Sequence, residues 1–401
     1  MLFRSRFAVA GVRLGVAQAG IKKAGKDDLL LIALSENAQT VAVFTQNAFC
    51  AAPVSLARKH LALSLGQPRY LLINTGNANA GTGEAGIANA LSCCAALGVR
   101  AEVAATAVLP FSTGVIGEPL PVERVESAIP AAFDALQPDQ WERAAGAILT
   151  TDTRPKLRTT TLEVDGRACV ITGIAKGAGM ICPNLATMLA FIATDAAISA
   201  PLLEELLRNA VAKSFNRITV DGDTSTNDAV TLSATGESGV VIEPGSRHAS
   251  DFSRALETLM IELAQDIVRD GEGATKFVEI HVVGGESEAA CDQVARTIAH
   301  SPLVKTALFA SDPNWGRILA AIGRAGLEGL DTEAVSIEIN GVVIAERGAR
   351  APSYTEALGQ QAMDEDELRL RVSLQRGAAE SLLWTTDLSY DYVKINAEYR
   401  T

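Results

Sequence analysis

The sequence predicts an α/β or α+β protein of two or three structural units, and three observations support this prediction. The 401 residues exceed one ordinary hydrophobic core. Hydrophobic residues make up 48% of the chain, which is the range of globular rather than disordered proteins. Short apolar runs bounded by turn residues alternate with Ala-rich helical patterns, and these runs are numerous enough to form two sheets.

In chain order, strands are predicted where short aliphatic runs end at turn residues. They cover residues 28–34, 40–45, 70–74, 106–109, 160–165, 168–173, 188–193, 217–221, 229–235, 276–283, 335–346, 368–375 and 381–387. Helices are predicted where longer segments repeat apolar residues every three to four positions. They cover residues 54–62, 83–97, 121–128, 139–148, 200–214, 249–269, 288–299, 314–325 and 354–362. Gly284 and Gly285 predict a boundary between a large first domain, residues 1–283, and a C-terminal α/β domain, residues 284–401.

Composition and spacing argue against several classes of function. The net charge is −12 and no basic stripe is present, which argues against a nucleic-acid surface. No apolar run reaches 18 residues, so no membrane span is expected. The four histidines lack metal-ligand spacing, and we expect neither a metal ion nor an organic cofactor. The six cysteines show no C-x-x-C pair, which is typical of reduced thiols in a cytoplasmic protein.

The first 26 residues are basic, with no acidic residue before Asp27. A mitochondrial transit peptide is one interpretation of this composition. Three glycines interrupt any amphipathic helix, however, and Ile21–Lys23 leads into the predicted core strand at 28–34. We therefore expect this segment to belong to a folded, cytoplasmic protein.

Residues 176–191 contain the most informative motif. A Gly-rich run and a Pro-Asn turn precede Thr187, where a buried apolar strand begins. A hydroxyl at such a position is a nucleophile if a neighbouring base removes its proton. A chain break between Ala186 and Thr187 supplies that base, because a free α-amine titrates at about 7.7 to 8.0.

Gly81–Gly86 matches the G-x-G-x-x-G pattern of dinucleotide-binding folds. Seven residues separate the preceding strand, which ends at Ile73, from Gly81, so the tight turn that holds a pyrophosphate is absent from the pattern. A loop that shapes a site or caps a helix is the better interpretation. A nucleotide-binding oxidoreductase remains a competing class.

Thr113 and Gly114 follow a predicted strand at 106–109. A Thr-Gly pair at a strand end can direct a hydroxyl and a backbone N–H to one point, as an oxyanion hole requires. An ordinary turn is the alternative interpretation of this segment.

Three further segments combine polar groups that suit an amino-acid substrate. Residues 150–153 and 221–228 are dense in hydroxyls and carboxylates, although turn and cap chemistry explains most such clusters. Glu272 lies where a predicted helix ends at glycine. The segment 391–401 is rich in aromatic and apolar residues, so we expect it to dock and to bring Asn396 and the terminal carboxylate to the body of the protein.

In this order, these segments resemble the ornithine acetyltransferase family, which makes N-acetylglutamate and ornithine in arginine biosynthesis. The resemblance covers nearly the whole chain, and Lys176–Leu189 is its most specific part. Ala178 and Leu185 depart from the residues that are frequent in the family, and neither removes a needed chemical group. The resemblance implies a layered helix–sheet–sheet–helix sandwich, similar in layout to N-terminal-nucleophile hydrolases, with a smaller C-terminal α/β domain.

The resemblance also implies that the chain cleaves itself between Ala186 and Thr187. The resulting alpha chain, residues 1–186, and beta chain, residues 187–401, are expected to stay together as a heterotetramer of two of each.

The implied reaction is a ping-pong transfer of an acetyl group from N2-acetyl-L-ornithine to L-glutamate through acetyl-Thr187, with acetyl-CoA as a second candidate donor. Thr113 and Gly114 would hold the oxyanion. The substrate-contact residues, carried over by position, are Thr150, Lys176, Thr187, Glu272, Asn396 and Thr401. Charge complementarity makes Lys176 a candidate partner for a substrate carboxylate and Glu272 one for an amine.

Two other functions compete with this interpretation. An amidase or aminopeptidase that uses Thr187 differs only in whether water or an amine accepts the acyl group. A non-catalytic metabolite-binding protein is the other, and an intact chain after purification would favour it.

Overall fold

The computed structural model describes residues 6–182 and 188–399. It divides into two compact units. The first unit contains Met1–Asn216 and Asp223–Ile267, and the second contains Arg217–Gly222 and Val268–Thr401. Gly284 and Gly285, where the sequence predicts a boundary, lie within the second unit.

The first unit contains most of the strands. These are β1 Val12–Ala17, β2 Leu29–Leu34, β3 Gln39–Phe44, β4 Tyr70–Asn77, β5 Val108–Val115, β6 Lys156–Val164, β7 Arg167–Lys176, β8 Leu189–Thr194, β9 Ala197–Ile198, β10 Ala229–Ala234 and β11 Val241–Ile242. The helices are α1 Ala52–Leu63, α2 Gly83–Ala101, α3 Val122–Asp134, α4 Trp141–Ala147, α5 Ala200–Lys213 and α6 Arg247–Arg269, the last of which ends in the second unit.

Two sheets form the centre of the first unit as far as the structure describes it. Their strand orders are β1-β2-β4-β5 and β3-β10-β8-β7-β6. Side chains from both sheets share one core, in which the rings of Phe111 and Phe191 meet edge to face at 5.1 Å. Helices α2 and α3 cover the outer face of the first sheet, and α6 packs on the second sheet, where Leu259 and Leu263 approach Gly173. This helix–sheet–sheet–helix layering confirms the predicted fold class.

Strand β2 shows why its sequence is apolar at every position. Leu30 and Ile32 belong to the core between the two sheets, whereas Leu29 and Leu31 belong to the core under α2 and α3. Successive side chains of a strand point to opposite faces, so a strand covered on both faces has no polar positions.

The second unit is built on one mixed sheet. Its strands are β12 Phe277–Gly285, β13 Ser336–Ile339, β14 Val342–Glu346, β15 Ala349–Arg350, β16 Glu367–Ser373 and β17 Ala379–Thr386. Its helices are α7 Glu288–Ala299, α8 Pro302–Phe309, α9 Trp315–Gly323, α10 Glu356–Met363 and α11 Tyr390–Ala397. In the described residues the strand order is β15-β14-β13-β16-β12-β17. Helix α7 packs on the apolar face of this sheet, and α9 packs on α7 in the same core.

Two elements differ from the sequence prediction in instructive ways. From the sequence no strand was predicted over β1, which contains Gly15. A Cβ at Gly15 would lie 2.0 Å from the carbonyl oxygen of Ala132, so the glycine allows α3 to pack closely on this strand. The predicted strand at 217–221 is wrong, because Ile218 makes only an isolated bridge with Trp384.

None of the described helices is long and apolar enough to cross a membrane.

Candidate active site

The predicted oxyanion pair lies at the end of β5. Strands β4 and β5 are parallel, and their register places Thr75 beside Thr113 and Gly76 beside Gly114. Gly114 has a φ of +139°, and a Cβ there would lie 2.3 Å from the carbonyl carbon of Gly76. A larger residue therefore fits neither the backbone conformation nor the space, and the glycine holds the end of β5 against β4.

Lys176, the last residue of β7, contacts Thr113 of this pair. Both Lys176 and Thr113 are buried, and the Lys176 Nζ lies 3.3 Å from the Thr113 Oγ1. An ammonium group can only donate, so the hydroxyl oxygen accepts this hydrogen bond. Within the described part of the chain, the hydroxyl proton of Thr113 has no acceptor. A hydroxyl that can still donate, next to a cation, suits the stabilisation of an oxyanion.

Asp152 links Thr150 to Lys176. Its buried carboxylate accepts hydrogen bonds from the Lys156 Nζ at 2.6 Å, the Gly177 N–H at 2.7 Å and the Thr150 N–H at 3.1 Å. Burial opposes ionisation of Asp152, but the nearby charges of Lys176 and Lys156 outweigh it and lower its pKa to about 2. Asp152 is therefore a fixed negative charge that holds the backbone on both sides of the site.

Asn227 and Asp228 connect two of the site's segments. The Asn227 side chain donates to the carbonyl of Ser112, the residue before Thr113, at 2.9 Å. The Asp228 Oδ1 accepts the N–H of Met188 at 3.0 Å. Burial raises the pKa of Asp228 well above the usual range of a carboxyl, against smaller opposing effects. These two consecutive residues thus position the start of β8 and the end of β5.

Glu272 and Asn396 meet in the second unit. The Asn396 Nδ2 donates to the Glu272 Oε2 at 2.8 Å. Gly273 has a φ of +66°, and a Cβ there would lie 2.5 Å from the backbone nitrogen of Tyr392. The Ser389 hydroxyl caps α11 and donates to the Gly273 carbonyl at 2.6 Å. The C-terminal helix therefore docks on the loop that carries Glu272, as the sequence predicted for the tail.

The structure thus gathers the sequence-predicted residues in two groups. Thr113, Thr150 and Lys176 are connected through Asp152 and neighbouring contacts in the first unit, and Glu272 contacts Asn396 in the second. Three predicted positions lie outside the described residues, namely Ala186, Thr187 and Thr401.

Sequence reasoning did not single out Asp152, Lys156 and Asp228 as individual site residues. The only sequence signal for the two acids was the density of hydroxyls and carboxylates in segments 150–153 and 221–228. Nothing in the sequence pattern pointed to Lys156.

The Gly81–Gly86 motif organises the start of α2. The Asn79 side chain accepts a hydrogen bond from the Thr82 hydroxyl at 2.9 Å and donates to the Gly86 carbonyl at 2.9 Å. A Cβ at Gly86 would lie 1.9 Å from the Thr82 Oγ1. This glycine is therefore explained by local packing, in agreement with the loop interpretation.

The described residues include no group of three or more His, Cys, Asp or Glu side chains that could hold a metal ion. All six cysteines lie in the described residues and none is in a disulfide, and all except Cys50 are buried. Burial raises the pKa of Cys93 to about 12, so this thiol is a poor nucleophile near neutral pH.

Comparison with known proteins gives one family over almost the entire chain. A family model described as the ArgJ family matches residues 13–401. The arginine biosynthesis bifunctional protein ArgJ of Methylococcus capsulatus is 57% identical over 394 residues, covering 98% of this chain and 96% of the relative. The protein of the same name from Pseudomonas syringae pv. tomato is 53% identical over 395 residues, covering 98% and 97%.

Two solved structures are also similar to this chain. The arginine biosynthesis bifunctional protein ArgJ of Bacillus halodurans is 39% identical with a TM-score of 0.49, covering 52% of this chain and 97% of the other. The ornithine acetyltransferase of Mycobacterium tuberculosis, solved in complex with ornithine, is 31% identical with a TM-score of 0.37, covering 46% and 96%.

Proposed function

Because this chain belongs to the ArgJ family, we propose that it transfers an acetyl group from N2-acetyl-L-ornithine to L-glutamate, giving L-ornithine and N-acetyl-L-glutamate. The observation that carries the proposal is the end-to-end similarity to curated arginine-biosynthesis relatives. Acetyl-CoA is a second candidate donor, and no cofactor is part of the proposal. We place the enzyme in the cytoplasm.

Activation is self-cleavage at the bond between residues 186 and 187. The hydroxyl of Thr187 attacks the carbonyl carbon of Ala186, the peptide C–N bond breaks and an ester forms. Water then hydrolyses the ester and frees the α-amine of Thr187. An amine with a pKa of about 7.7 to 8.0 is a general base near neutral pH. We propose that the two chains remain together as a heterotetramer.

Turnover is a two-step exchange on Thr187. The α-amine takes the hydroxyl proton while the oxygen attacks the acetyl carbonyl, and ornithine leaves with its amine protonated. Glutamate then enters, and its amine attacks the acetyl ester. The uncommitted hydroxyl proton of Thr113 and the N–H of Gly114 support the assignment of the oxyanion hole, in which one donor is worth about 10² to 10³ in rate.

Charge assigns the substrate contacts. The ammonium of Lys176 suits the α-carboxylate of a substrate, while Glu272 and the terminal carboxylate of Thr401 suit amines. Thr150 and Asn396 complete the proposed contacts. The bond between Asn396 and Glu272 supports this assignment, because it fixes the orientation of the carboxylate.

The test uses acetyl-labelled N-acetylornithine, with and without glutamate, on the wild type, Thr187→Ala and the conservative Thr187→Ser. The wild type should move label to glutamate. Thr187→Ala should remain one uncleaved, inactive chain, while Thr187→Ser should still cleave. Free acetate released equally with and without glutamate would identify the amidase alternative. An active Thr187→Ala variant would contradict the mechanism.

A further inference from the structure

The loop that leads into β2 is basic and has no role in the mechanism proposed above. This lysine loop, residues 18–27, carries Lys22, Lys23 and Lys26. The protein as a whole has a net charge of −12, so three lysines this close together run against the overall charge. A local excess of positive charge attracts anions.

The base of the lysine loop is held in place by a buried carboxylate. Asp28 accepts hydrogen bonds from the Ala19 N–H and the Ile21 N–H, each at 2.6 Å. The side chain of Ile21 is buried in the core under α2 and α3. The loop is therefore a fixed part of the first unit, and its lysines start from defined positions.

The lysine loop lies against the strand that supports the predicted oxyanion pair. A Cβ at Gly76 would lie 2.9 Å from the Lys22 Cβ and 3.4 Å from the Ile21 Cγ2. Gly76 is opposite Gly114 in the register of β4 and β5, and neighbouring strands lie about 4.8 Å apart. One strand therefore separates the loop from the oxyanion pair.

Lys26 places its charge beside the segment that carries Thr150. The Lys26 Nζ donates to the carbonyl of Leu149, the residue before Thr150, at 2.8 Å. In the part of the chain that the structure describes, this is the only hydrogen bond of the half-buried Lys26 side chain. An ammonium group has three N–H donors, so two are left for a ligand.

Positive charges outnumber negative charges around Lys26. Burial lowers the pKa of Lys26, and the carboxylates of Asp152 and Asp28 oppose this effect. The charges of Lys23 and Lys22 lower the pKa further. Both carboxylates already accept hydrogen bonds from N–H groups of the protein. A cation in such surroundings gains from a bound anion.

The two substrates of the proposed reaction differ in charge at the end of the side chain. N-acetylornithine ends in an ammonium group, whereas glutamate ends in a second carboxylate. The contacts proposed above assign Lys176 to the α-carboxylate that both substrates carry. They leave the second carboxylate of glutamate without a cation.

We propose that Lys26 binds the side-chain carboxylate of the acceptor, an inference that rests on the proposed function. Lys22 and Lys23 add positive charge to the same subsite. The lysine loop thereby selects a dicarboxylic amino acid as the acceptor, after ornithine has left. The donor gains nothing from this subsite, because its side chain carries no negative charge.

The test compares glutamate with glutamine, a neutral acceptor of nearly the same shape. Lys26→Met removes the charge and keeps most of the length of the side chain, and Lys26→Arg keeps the charge. Lys213→Met is the matched control, because it removes a lysine from α5 whose side chain is 59% exposed and paired with Glu257. The measured quantity is the ratio of kcat/KM for glutamate to kcat/KM for glutamine, with N-acetylornithine as the donor.

We expect Lys26→Met to lower this ratio about 10- to 100-fold, as the loss of a hydrogen bond between charged groups predicts. Lys26→Arg and Lys213→Met should keep the ratio within about three-fold of the wild type. A purely structural role of the bond to Leu149 would lower transfer to both acceptors equally and leave the ratio unchanged.

An unchanged ratio in Lys26→Met, or a ratio in Lys26→Arg as low as in Lys26→Met, overturns the subsite while the proposed function stands. A wild type that transfers no acetyl group to glutamate defeats the proposed function instead.

Lys23→Met decides if Lys26→Met fails to fold, because the Lys23 side chain is exposed. The loss of one nearby surface charge should lower the ratio about two- to five-fold. A ratio equal to that of the wild type, or a wild type that uses glutamine as well as glutamate, overturns the proposal.

Discussion

Asp152→Asn removes the buried negative charge that lies near Lys156 and Lys176 in the first unit. The side chains of Asp152 and Lys156 are 0% and 1% exposed, and their charged atoms lie 2.6 Å apart. Asparagine removes the carboxylate that the buried Lys156 ammonium contacts. Breaking a buried ion pair in this way costs about 3–5 kcal/mol.

The titration of Asp152 gives a second measure of the same effect. Its pKa falls from 3.8 to about 2 on folding. At about 1.4 kcal/mol per unit, this shift contributes about 2 kcal/mol of stability. The linkage value is smaller because it does not include the cost of removing a carboxylate contact from a buried lysine. We therefore expect Asp152→Asn to lower the free energy of unfolding by about 2–5 kcal/mol at pH 7.

Urea unfolding of the wild type and the variant measures this difference. Asp27→Asn is the matched control, because Asp27 pairs with an Arg143 side chain that is 46% exposed and should cost at most about 1 kcal/mol. Because the folded-state pKa of Asp152 is lowered, its stabilising contribution is complete above about pH 4 and disappears as the pH falls towards 2. An Asp152→Asn variant no less stable than Asp27→Asn at pH 7 would refute the reasoning.

Three further predictions concern separate sites. Gly114→Ala should prevent folding or abolish acetyl transfer, because its Cβ would lie 2.3 Å from the backbone of β4. Gly166→Ala, at a φ of +76° with nothing within 4 Å, should lower the free energy of unfolding by only about 1–2 kcal/mol. Melting temperatures compare the two variants. Burial lowers the pKa of Lys305 from 10.5 to about 8, so the folded state releases this proton first, and the free energy of unfolding should rise with pH across that interval. Lys305→Met should remove the rise in a pH series of urea unfolding curves, and an unchanged rise would contradict this assignment. A thiol reagent should label Cys50 before Cys93 in the native protein, because Cys93 is 3% exposed and has a pKa of about 12. Peptide mass mapping measures the order of labelling, and labelling of Cys93 first would contradict this prediction.

The sequence predicted those elements whose pattern is set by local burial. The run Leu29–Leu34 has no polar position because both of its faces are covered, and this made β2 recognisable. Strand β1 was missed because the reason for Gly15 is the carbonyl of Ala132, which lies far along the chain. Residues 217–221 have strand-like composition but pair only through a single bridge, so tertiary context decided against their propensity.

The site depends on the same kind of distant contact. The bond between Lys176 and Thr113 joins residues 63 positions apart on strands of two different sheets. No spacing rule predicts such a pair, and the resemblance to a family supplied both residues before the structure showed their contact. Asp228 was hidden in an acidic, hydroxyl-rich segment, where its contact with the Met188 N–H distinguishes it from its neighbours.

Mass analysis of the active protein tests the central claim most directly. The enzyme is incubated with acetyl-labelled N-acetylornithine without glutamate, denatured and separated. The account predicts two chains, residues 1–186 and 187–401, with one labelled acetyl group on Thr187 that disappears when glutamate is added. An intact 401-residue chain that turns over substrate, or an acetyl group on any other residue, would contradict it.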